Sequence, residues 1–175
     1  RITLARDEYE ATQLVVVPLQ ETLRNVSVSV TDLRGPRNIR LPQRLVSINV
    51  VGYVRIKESS GGATLEPGLL PDPLLENQPV SVDRAGVQSW WLTAYAPPDQ
   101  APGVYRGEIL VRPQNAPETR IPFEVRVWGF TLPTTSRLRS SYGISLDTVF
   151  RKYDLAAGPG RPPGWNASAW VGADV

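Results

Sequence analysis

The sequence predicts an all-β fold: a two-sheet antiparallel β-sandwich of immunoglobulin-like architecture with seven to nine strands. Three observations carry that prediction. Apolar residues recur at every second position in one segment after another, 17 prolines and 14 glycines punctuate the intervals, and a single stretch in 175 residues has the spacing of an amphipathic helix.

Residues 8–19, EYEATQLVVVPL, read as a strand whose later half is apolar on both faces, which places it near the middle of a sheet. In residues 25–31, Val26, Val28 and Val30 alternate with Ser27, Ser29 and Thr31, the pattern of a half-buried strand with one wet face. LVSINVVGYVRIK, residues 45–57, keeps Val46, Ile48, Val50, Val54 and Ile56 in one phase across Gly52, so a long strand bent at that glycine is expected. Residues 58–79 have no period and read as a long loop. Leu69, Leu70, Leu74 and Leu75 surround its Pro-Asp-Pro turn and need apolar surface to bury against.

QSWWLTAYA (88–96), GVYRGEILV (103–111) and TRIPFEVRVWGF (119–130) are three further strands, expected to form an antiparallel meander. Between the first two, Pro97, Pro98 and Pro102 restrict the backbone, Asp99 can cap the turn through its side chain, and Gly103 lets the chain swing into the next strand. Tyr105 follows at a strand start. Its predicted role is structural, a hydroxyl bonded to backbone upstream in a tyrosine-corner-like arrangement.

Past residue 132 the character changes. A linker and a strand-like RLRSSYGI precede SLDTVFRKYDLA, where Ser145 is a candidate N-cap and Leu146, Val149, Phe150 and Tyr153 fall on one helical face. The expected organisation is a β-sandwich domain over 1–132, a linker with a strand/helix arm over 133–155, and a Gly/Pro-rich tail over 156–175.

Composition narrows the chemistry. The chain has neither Cys nor His, which removes the usual zinc and copper ligands and the Ser-His and Cys-His nucleophile systems. No cofactor or metal is expected; calcium would need converging oxygen ligands, and Asp72 stands alone. Net charge is +2 and all but two of the 19 basic residues are arginines scattered among acids, whereas a nucleic-acid reader clusters them. No apolar run reaches the length of a membrane span.

Taken in order, ARDEYEATQLVVVP, LRNVSVSVTDLRG, VGYV, LLPDPLL, WWLTAYAPPDQAPGVYRGEILV, IPFEVRVWGFTLP and LRSSYGIS form a series. It resembles the N-terminal β-sandwich domain of large bacterial proteins in the β-N-acetylgalactosaminidase-type glycoside hydrolase family and its uncharacterised relatives. The resemblance implies a (β/α)₈ barrel after the sandwich, with RLRSSYGI as its first strand. It implies an adjacent Asp-Glu catalytic pair deep in that barrel, assisting the substrate's own acetamido group. Nothing in this chain matches that pair, so no catalytic residue is assigned; Asp7 and Glu8, the only adjacent carboxylates, fall in the first strands. A secreted or cell-surface location is what the resemblance implies.

The expected function is therefore a non-catalytic accessory or scaffold domain of a secreted glycoside hydrolase. Leu70, Pro71, Asp72, Pro73 and Leu74, with Tyr142 and Phe150, would dock a C-terminal catalytic barrel domain or neighbouring copies of the same chain. A structural subunit of an extracellular assembly, joined by strand addition, is the alternative from another class. A carbohydrate-binding module is a third. Trp90 and Trp91 point to opposite faces of one strand; one belongs in the core, while Trp91 either packs under the LLPDPLL segment or contacts sugar. Asn25 and Asn166 each open an N-x-Ser sequon and are glycosylation candidates.

Overall fold

The computed structural model of the protein describes residues 1–56 and 68–135. The predicted arm and tail, with Tyr142, Phe150 and Asn166, lie outside the described residues. The chain divides into two compact units, Arg1–Thr134 and Thr135–Val175. In the first, eleven strands are described: β1 (Ile2–Arg6), β2 (Glu8–Val16), β3 (Leu23–Val30), β4 (Leu33–Arg34), β5 (Arg40–Leu41), β6 (Val46–Ile56), β7 (Gly68–Leu75), β8 (Val80–Val82), β9 (Gln88–Ala96), β10 (Gly103–Arg112) and β11 (Thr119–Thr131). They form two sheets. One runs β1-β11-β10-β3-β8, with the two-residue β4 paired to β10 and β5 paired to β4; the other runs β2-β9-β6-β7.

The inner faces follow the alternation in the sequence. Val26, Val28 and Val30 from β3, Tyr105, Ile109 and Val111 from β10, and Phe123, Val125 and Val127 from β11 are buried together with Trp90, Leu92 and Ala94 from β9. Each apolar side chain withdrawn from water in this way contributes on the order of 1.5–3 kcal/mol before entropy is set against it.

Four expectations change. Among the described residues the segment 8–16 is an edge strand rather than a central one: β2 pairs there only with β9, and Val15 and Val17 are exposed. Apolar residues on both faces report what covers the faces, and carry no information on how many strands lie alongside. The fold is also not wholly antiparallel, because β1 pairs with β11 in parallel. Asp7, at φ 60°, turns the chain between β1 and β2 and sends them to different sheets. Nor do the three late strands make one meander: β10 and β11 form a hairpin, while β9 belongs to the opposite sheet, so 97–102 crosses between layers.

The fourth change concerns the expected loop. Its second half is β7, an antiparallel edge strand on β6. Proline is tolerated at an edge because an N–H directed away from the sheet has no ladder partner to lose. Pro71 and Pro73 are two residues apart, so both missing N–H groups lie on one side of the strand. Opposite them Gly52 marks a register shift, and a Cβ at Gly52 would sit 2.8 Å from Pro73 Cγ.

Candidate functional site

The corner between β9 and β10 shows how the sequence fixes its own geometry. Tyr105 is fully buried; its hydroxyl donates to the Ala101 carbonyl at 2.6 Å and accepts from Gln100 Nε2 at 2.8 Å. The turn before it is closed by backbone, Gln100 N–H to the Pro97 carbonyl at 3.0 Å, with the Asp99 side chain exposed. Gly103 adopts φ +146° against the ring of Pro36, and Gly35 lies on the Tyr105 ring so closely that a Cβ would stand 2.3 Å from Cε1. Gln100, Gly35 and Pro36 were not singled out by pattern. Gly-Pro at 35–36 is a turn signal, yet nothing local says that it packs on a tyrosine 70 residues away.

The adjacent carboxylates serve the backbone and a neighbouring ring. Asp7 Oδ1 accepts from the Tyr95 hydroxyl at 2.8 Å, and Glu8 Oε2 accepts from the Ala5 N–H. Tyr95 is thereby raised above the ordinary tyrosine pKa, first by the bond it donates to Asp7, then by burial and by the Asp7 charge. Tyr95 stacks on Tyr9, with ring centroids 4.4 Å apart and planes 22° from parallel.

The two outer faces differ in chemistry. On the seven-stranded sheet, cross-strand ion pairs dominate: Arg106 and Arg1 both reach Glu124 at 3.1 and 3.2 Å, and Arg120 bridges Glu118 at 2.7 Å and Glu108 at 3.0 Å. Arg112 also pairs with Glu118, and its hydrogen bond is the main reason that carboxyl lies below its ordinary value. Beside these pairs, an open depression of about 490 Å³ is lined by Thr31, Asp32, Arg34, Gln43, Arg106 and Glu108, two cations against two anions. On the four-stranded sheet the outer face of β9 carries Trp91, Thr93 and Tyr95, all half-buried.

Of the residues expected to dock a partner, Leu70 and Pro73 are half-buried while Pro71, Asp72 and Leu74 are exposed, and Leu69 and Leu75 are exposed beside them. β7 lies beside β6 in the same sheet and is not laid over Trp91, so the LLPDPLL segment does not cover that ring; β6 separates them. Asn25 is exposed at φ 45°, and its amide nitrogen donates to Gln114 Oε1 at 3.0 Å. Trp128 and Phe130 are exposed at the end of β11, with Arg126 stacked over the Trp128 ring at 4.2 Å. Among the described residues no three Asp or Glu side chains converge as metal ligands, and no helix is long and apolar enough to cross a membrane.

This is the architecture of a two-sheet sandwich module. The family model of the glycoside hydrolase 123 N-terminal domain matches residues 6–113, more than half of the chain, and the chain belongs to that family. Among solved structures it is similar to a protein described in "The details of glycolipid glycan hydrolysis by the structural analysis of a family 123 glycoside hydrolase from Clostridium perfringens". The TM-score is 0.77 at 15% identity, over 90% of this chain and 28% of that one. At that identity the likeness is one of fold, and the chain spans well under a third of the relative's length. No curated protein matches the sequence.

Proposed function

We propose that this sandwich is a non-catalytic accessory domain that braces a catalytic domain carried on the same polypeptide, in an exported glycoside hydrolase. The observation behind this reading is the family match over 6–113 combined with the employment of the chain's one adjacent acid pair in structural bonds to Tyr95 and Ala5. A glycosidase site needs two carboxyl groups at fixed separation across a scissile bond, and in barrel enzymes those sit at strand ends of the barrel.

The bracing surface would be β7. Leu69, Leu74 and Leu75 are 57, 51 and 44% exposed on an edge strand, apolar area that a neighbouring domain can remove from water. The proline pair weighs against the strand-addition alternative at this edge, since Pro71 and Pro73 offer no N–H to an incoming strand. In the full-length protein, Leu69→Asp with Leu74→Asp should uncouple the domains, giving separate thermal transitions where the parent shows a joint one. A single unchanged transition would remove β7 as the bracing surface.

A further inference from the structure

Strand register assembles a second surface, on the outer face of the four-stranded sheet. Trp91 of β9 has Gln13 of β2 on one side and Asn49 of β6 on the other. The next row is Ala11, Thr93 and Ser47, and beyond it the stacked Tyr9 and Tyr95 close one end. Trp91 and Tyr95 are four residues apart on one strand, roughly 13–14 Å, longer than a single pyranose ring. The floor between them is a methyl and two small hydroxyl side chains.

The chemistry of these rows selects a ligand. Gln13, Asn49, Trp91, Thr93, Ser47 and Ala11 carry no charge, although 21% of the chain is charged and the opposite outer face is covered in ion pairs. A phosphate-bearing or acidic ligand would find no cation in these rows. A polypeptide seated flat on them would desolvate the Gln13 amide and the Thr93 hydroxyl, which costs free energy unless each is paired, whereas Asn49 and Ser47 already donate to the Leu75 and Thr93 carbonyls at 3.1 and 3.5 Å. A pyranose offers an apolar C–H face for the indole and a rim of hydroxyls that both give and accept hydrogen bonds, which amide side chains return in kind. We propose that this face binds a neutral oligosaccharide, with Trp91 as the stacking platform, Gln13 as one hydrogen-bonding flank, Asn49 as the other through its Oδ1, its Nδ2 already donating to the Leu75 carbonyl at 3.1 Å, and the Tyr9–Tyr95 pair as the end wall. Tyr95 is held in place by Asp7, so the wall is set before any ligand arrives.

This goes beyond the accessory role: Asn49 borders β7 through its bond to the Leu75 carbonyl at 3.1 Å, while Trp91 and Gln13 lie on β9 and β2, on the far side of β6 from the β7 leucines. The test is titration of the isotope-labelled 175-residue chain with neutral di- to tetrasaccharides of hexose and N-acetylhexosamine, followed by amide and indole NMR. Expected are shifts at the Trp91 indole N–H and the Gln13 and Asn49 side-chain amides, with the buried Trp90 indole on the other face of β9 unmoved. Trp91→Ala should weaken binding by about tenfold or more, the scale of one lost stacking contact with its hydrogen bonds. Gln13→Ala, an exposed edge position, should weaken it several-fold and keeps the test open if Trp91→Ala does not fold. Trp128→Ala should change nothing. Absence of shifts at millimolar saccharide overturns the proposal, as do shifts that persist in both Trp91→Ala and Gln13→Ala. So does a concentration-dependent dimer that protects these residues without any saccharide response.

Discussion

Tyr105 carries two hydrogen bonds in a place where water cannot replace them. Tyr105→Phe would take the hydroxyl donor from the Ala101 carbonyl and one of two acceptors from Gln100 Nε2, which keeps the Arg40 carbonyl at 3.3 Å. A loss of about 1–2 kcal/mol in unfolding free energy is expected, measured by denaturant unfolding with an unchanged slope. Tyr95 makes a pH-dependent contribution of known sign. Its folded pKa lies above the unfolded value, so its stabilisation is complete below the ordinary tyrosine range and is lost as pH rises through the raised folded value. Ionisation followed at the Tyr95 ring during alkaline titration should therefore come above the ordinary tyrosine range, and Asp7→Asn should lower it.

At the scale of elements, β7 is where local pattern and tertiary structure part. Proline at every second position erases the alternation that identifies a strand, yet the same spacing suits an edge. Replacing Pro71 and Pro73 with Val should restore two outward N–H donors and promote edge-to-edge association, seen as a rise in light scattering relative to the parent at equal concentration.

Elements whose inner face is apolar at period two were legible. The three valines of β3 and the β9 alternation follow from single residues read in order, and Gly52, where a bend was expected, lies at the register shift between β6 and β7. What was not legible depends on partners distant in sequence: that β2 has one neighbour among the described residues, that β1 joins β11, and that β9 and β10 belong to different sheets. Asp7 is instructive. The acid pair it forms with Glu8 was conspicuous, whereas the positive φ that separates β1 from β2 left no local trace beyond the tolerance of Asp for that region. The candidate sugar face was half legible. Trp91 was conspicuous for facing away from Trp90, but Gln13 and Asn49 become its neighbours only through register.

For the whole molecule, the sandwich has a filled core, one outer face of ion pairs and another of neutral aromatic and amide side chains, and an edge strand of exposed leucines. As an accessory domain it should show no glycosidase activity of its own: residues 1–135 should release no product from aryl N-acetylhexosaminide test substrates. The most direct measurement is the intact mass of the native polypeptide. The accessory role predicts a chain extending well beyond residue 175, with a downstream catalytic domain bearing an adjacent Asp-Glu pair. A native polypeptide that ends at residue 175 would contradict it.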